Sequence, residues 1–100
     1  MKQKALDEIA PLLAVLRANR ALHEVRPTEF HLDGHDFVHF HDNPSGVVAD
    51  VRLKTGRVSM RASSKEEQAD LLERIDDYLE TLDSRTRGRG RSMRDRGRRR

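Results

Sequence analysis

Leu6, Ile9, Leu13 and Leu16 recur at three- and four-residue steps among polar positions, and Ala5 and Leu12 widen the stripe. The spacing predicts an amphipathic helix over residues 3–19. Pro11 falls inside it, and because the apolar face continues on both sides, one kinked helix is expected rather than a later start. The period then changes. Residues 25–62 alternate or run apolar between turn residues, as strands do. Val25–Leu32 and His35–His41 flank Asp33-Gly34, a strong two-residue hairpin signal. Asp42-Asn43-Pro44-Ser45-Gly46 reads as a five-residue loop. Val47–Lys54 puts Val47, Ala49, Val51 and Leu53 on one face and Val48, Asp50, Arg52 and Lys54 on the other. A turn at Thr55-Gly56 then leads into Arg57–Ala62. It pairs Leu53 with Val58, Val51 with Met60, Ala49 with Ala62 and Asp50 with Arg61.

Ser64-Lys65-Glu66-Glu67 has the form of a capping box, Ser at the cap and Glu three residues on. The helix it opens is expected to run to about Leu82. Leu72, Ile75, Leu79 and Leu82 face inward, with Leu71 and Tyr78 flanking. The order is α-β-β-β-β-α, an α+β fold in two layers: a four-stranded antiparallel meander with two helices on one face. The other sheet face is left open to water or a partner.

Charge divides the chain. The net charge is +3, but residues 84–100 hold nine Arg and one Asp, whereas residues 1–83 hold eleven Lys/Arg against sixteen Asp/Glu. The expected organisation is a compact domain over 1–83 and a disordered Arg/Gly-rich tail over 84–100, which has no large apolar residue except Met93. No run is long enough to span a membrane, and the first residues lack the order of a signal peptide. With no cysteine, disulfides and thiolate zinc sites are excluded, and a reducing cytoplasm fits. A body of this size is marginally stable alone, so a homodimer would help it.

Four of the five histidines, His31, His35, His39 and His41, fall within eleven residues. His39 and His41 share a face of their strand. A strict two-residue turn at Asp33-Gly34 pairs Phe30 with Phe37 and turns His39 and His41 toward the core. A three-residue loop instead pairs Phe30 with Val38 and Thr28 with Phe40, and His31, Phe37, His39 and His41 line the open face. The second register avoids the cost of burying two imidazoles. On it His39 and His41, with His31 across the hairpin, form a candidate divalent-metal site, zinc among the suited ions, with Asp36, Asp42 or Asp50 supplying oxygen. The bland alternative is a set of polar residues on a solvated sheet, titrating near neutrality.

Arg26-Pro27-Thr28-Glu29-Phe30, Asp36-Phe37-Val38-His39-Phe40-His41 and Asp50-Val51-Arg52-Leu53 together resemble the small bacterial luciferase-domain family over roughly residues 26–79. That family has an R-P-x-x-E-F-like strand, an acidic-aromatic strand ending in H-x-H and a following D-hydrophobic strand. Arg57–Arg61 and the helix ending at Tyr78 are similar to its closing strand and helix. The sequence lacks a segment the family carries before that closing strand. The resemblance implies that His39 and His41 are the positions to watch, and it implies no reaction.

Function then divides into two classes. The tail arginines Arg85, Arg87, Arg89, Arg91, Arg94, Arg96, Arg98, Arg99 and Arg100 suit nucleic acid or another polyanion, read through phosphates and not bases. Association of the tail with the acidic last helix, or a purely solubilising role, is the competing reading. The second class is a ligand- or metal-binding domain using His31, His39, His41 and Asp50. No nucleophile elbow and no phosphate-binding glycine loop occurs, so a non-enzymatic module is expected.

Overall fold

The computed structural model describes residues 1–87, with side chains through residue 82. Helix α1 (Gln3–Ala18) runs through Pro11 without interruption. Proline removes one intrahelical bond, but Ile9, Leu12, Leu13 and Leu16 are all buried around it, and that packing holds the helix through the proline. Asn19 ends it: its side-chain carbonyl accepts the Ala21 N–H at 2.9 Å and its backbone carbonyl the Leu22 N–H at 3.1 Å.

Five strands follow, not four: β1 (Leu22–Arg26), β2 (Glu29–Leu32), β3 (His35–Asn43), β4 (Gly46–Leu53) and β5 (Gly56–Arg61). They form one antiparallel meander in the order β1-β2-β3-β4-β5. The extra strand arises because the expected Val25–Leu32 strand folds back on itself at Pro27-Thr28. Proline has no N–H for a ladder and its fixed φ suits a turn. Val25 is the unpaired residue of the resulting bulge, which explains its 42% exposure.

Two connections differ from the sequence reading. The expected five-residue loop contracts to Pro44-Ser45, because Asn43 pairs with Gly46. The last hairpin turns at Lys54-Thr55, so Leu53 pairs with Gly56, Val51 with Val58 and Ala49 with Met60. Each strand keeps its expected faces, but the partners shift by two: Asp50 meets Ser59 rather than Arg61, and Leu53 does not meet Val58. Gly56, at φ 116°, fills a backbone position that other residues rarely take.

Helix α2 (Lys65–Arg87) begins with the expected capping box. Ser64 Oγ accepts the Glu67 N–H at 3.1 Å, and Glu67 Oε1 accepts the Ser63 and Ser64 N–H groups at 3.0 Å each. The helix continues past Leu82, so residues 84–87 are helical and not coil. Leu71 and Ile75 are its buried centre, while Leu72, Tyr78 and Leu79 pack partly buried around them. This inverts the expected order of Leu71 and Leu72. Both helices cover one sheet face, where Phe30, Val38, Phe40, Ala49 and Val51 complete the core. Gln68 ties the helices together, donating to the Glu8 carbonyl at 3.0 Å. Among the described residues, every buried side chain is apolar.

Candidate functional site

The hairpin at Asp33-Gly34 combines both anticipated registers. Its turn is the two-residue one, with Leu32 opposite His35 and positive φ at both Asp33 (53°) and Gly34 (79°). Beyond Asp36 the register slips: Phe30 faces Val38 and Glu29 faces His39, and the Thr28 carbonyl accepts the Phe40 N–H at 2.9 Å. Phe37 is the extra residue. In a regular strand Asp36 and His39, three positions apart, point to opposite faces. The bulge changes that parity and puts both on the open face. Phe37 itself turns into the core, 2% exposed, and stacks on Tyr78 with ring centroids 5.9 Å apart. It does not join the histidines on the open face.

His31, His39 and His41 do share that face, but they do not gather into one site with Asp50. His41 Nε2 lies 3.1 Å from Asp50 Oδ2, and Ser59 donates to Asp50 Oδ1 at 2.6 Å. The Ser59 hydrogen bond holds the Asp50 carboxyl below its ordinary range, and the imidazole charges of His41 and His39 act the same way. The His39 and His41 rings sit 5.5 Å apart, tilted by 37°. His31 belongs to a second group. Its Nε2 is 3.6 Å from Glu29 Oε2, and Asp36 stands directly across the hairpin. One ligand atom from each of Glu29, His31 and Asp36 lies within 4.8 Å of the other two. Arg57 donates to Asp36 Oδ2 at 2.9 Å. That hydrogen bond is the main reason the Asp36 carboxyl is held low, with His39 and His31 adding their charge.

Sequence reasoning missed Glu29 and Ser59 as members of this face, and left out His23, which stands opposite His31. The Glu29-x-His31 spacing is the signal that would have found the first. Asp42, expected as an oxygen donor, is turned elsewhere and accepts the Lys2 N–H at 2.9 Å.

A second feature lies at the end of the last hairpin. Arg52 and Arg57 are direct cross-strand neighbours. With Lys54 they line a groove of about 460 Å³ that runs against Tyr78, Thr81 and Leu82 of α2. Like charges placed opposite each other on a sheet are unfavourable without a counter-charge. Arg57 has Asp36, whereas Arg52 and Lys54 make no ion pair among the described residues. Of the tail arginines, Arg85 and Arg87 fall within α2; Arg89, Arg91, Arg94, Arg96, Arg98, Arg99 and Arg100 lie outside the described residues. Among the described residues no helix is long and apolar enough to cross a membrane.

Comparison of the chain with family models, with curated proteins and with solved structures finds no match.

Proposed function

We propose that the protein is a small non-enzymatic binding module for phosphate-rich polyanions, nucleic acid foremost. The arginine-rich segment supplies most of the attraction, and the β4–β5 end of the sheet adds a positioned contact. The observation that supports this is the facing pair Arg52 and Arg57, joined by Lys54 along a groove that borders α2. An anion in the groove supplies the counter-charge that Arg52 and Lys54 lack among the described residues. Guanidinium groups match phosphate oxygens in a planar fork, and Tyr78 lines the groove wall beside them. Helix α2 forms that wall and leads, along the sequence, into the arginine-rich segment.

The test is titration of a fluorescent single-stranded oligonucleotide with the full-length protein at several salt concentrations. Binding should weaken steeply as salt rises. It should fall when Arg98, Arg99 and Arg100 are changed to Ser. Absence of salt-sensitive binding by the full chain overturns the reading.

A further inference from the structure

The open face holds a second set of groups that phosphate binding does not use. We propose that Glu29, His31 and Asp36 form a site for one divalent transition-metal ion, distinct from the paired histidines His39 and His41. Glu29 and His31 project from the same face of β2, and Asp36 faces His31 from β3. The positive-φ turn at Asp33-Gly34 pins this end of the hairpin, and the bulge at Phe37 turns His39 onto the same face, directly across from Glu29.

The geometry suits such an ion. Ligands at about 2.0–2.2 Å from a tetrahedral metal stand roughly 3.4 Å from one another. His31 Nε2 and Glu29 Oε2 are already 3.6 Å apart, and the whole trio lies within 4.8 Å. Closure therefore needs a change of about an ångström in partly exposed side chains. One imidazole nitrogen and two carboxylate oxygens give a donor set that zinc, cobalt or manganese accepts, with water completing the shell. Each carboxylate keeps one oxygen clear of its arginine: Arg57 takes Asp36 Oδ2 and Arg26 takes Glu29 Oε1, which leaves Asp36 Oδ1 and Glu29 Oε2 for the ion. By contrast His41 already spends Nε2 on Asp50, whose other oxygen is taken by Ser59. That chain is satisfied without a metal.

Zinc chloride titrated calorimetrically into the full-length protein tests the site. One equivalent should bind. His31→Gln and Asp36→Asn should each weaken uptake by roughly tenfold or more. His41→Gln should leave it within about twofold. Circular dichroism checks that each variant is folded. Cobalt added to the unmodified protein gives a readout without substitution, because the His31 ring resonances should move further than those of His41. Three results overturn the proposal: no zinc uptake by the unmodified protein, uptake by His31→Gln equal to it, or cobalt shifts centred on His39 and His41. Zinc uptake that persists in the Arg98, Arg99 and Arg100 variant separates this site from polyanion binding.

Discussion

Phe37 reaches Tyr78 only because β3 carries one residue more than β2 at that point. The two rings stack at 5.9 Å and 18°, joining the sheet to α2 at the place where the open-face groups are sorted. Phe37→Ala should cost about 3–5 kcal/mol, the usual range for removing a buried phenyl ring. In a double-mutant cycle with Tyr78→Ala, about 0.5–1.5 kcal/mol should appear as coupling between the rings. Urea denaturation checks both values, and a coupling near zero would mean that the rings act independently.

Gly46 should tolerate no side chain. Its φ is 132°, and a Cβ there would run into Ser63 Oγ, which accepts the Val47 N–H at 2.7 Å. Gly46→Ala should destabilise by more than about 1 kcal/mol. Adding Ser63→Gly should recover only part of this, since the backbone strain remains and the Val47 N–H is left without its acceptor. Thermal melts of the single and double variants decide.

Glu67 couples the start of α2 to pH. Its carboxylate accepts two backbone N–H groups and pairs with Arg61, so its pKa lies below the ordinary 4.5, with the backbone hydrogen bonds as the main cause. A lowered folded-state pKa means stability that is present above the ordinary value and lost as pH falls through the folded one. The stability difference between the unmodified protein and Glu67→Gln should therefore be largest near neutrality and shrink below pH 4.5. A difference that stays constant down to acid pH contradicts the capping role.

Arg52→Ser with Lys54→Ser should weaken oligonucleotide binding and flatten its salt dependence. For a single strand, each phosphate that the protein no longer neutralises lowers the log–log slope by roughly 0.7. A weaker affinity with an unchanged slope would show that these two side chains do not act on phosphate.

Arg57 is shared between the groove and the Glu29–His31–Asp36 group. Its replacement should push the two ligands in opposite directions. Arg57→Ser removes a cation from the groove, yet frees Asp36 and lowers the positive charge facing an incoming ion. Zinc affinity should rise several-fold while oligonucleotide affinity falls. Parallel titrations of this one variant show whether the signs differ.

Much of this architecture is legible in the chain, and the exceptions share a cause. The stripe of Ile9, Leu13 and Leu16 is strong enough to predict a helix across a proline, and Ser64 with Glu67 marks the start of α2. The Asp33-Gly34 turn is equally plain. Alternation, however, reports faces and not partners. Turning at Lys54-Thr55 or at Thr55-Gly56 leaves Val51, Val58 and Met60 on the core side, so the pattern does not choose between them. A bulge is worse, because one added residue reverses every later face. That is why neither simple register puts Asp36 and His39 together. The shared face of His31, His39 and His41 follows from the cost of buried imidazoles, whereas the Glu29–His31–Asp36 group depends on a slip that no spacing announces. The turn at Pro27 carries only one mark: the proline breaks the Val25–Leu32 run, but Arg26-Pro27-Thr28-Glu29 has no glycine or asparagine beside it to fix a reversal.

All four reversals in the sheet, at Pro27-Thr28, Asp33-Gly34, Pro44-Ser45 and Lys54-Thr55, are two residues long. Every strand therefore pairs with its immediate neighbour in sequence, and each hairpin can close in microseconds. The bond from Gln68 to the Glu8 carbonyl spans 60 residues and must wait until the sheet has brought the two helices together. That bond should form after the rate-limiting step: Gln68→Ala should hasten unfolding while barely changing the folding rate, the kinetic mark of an interaction made last.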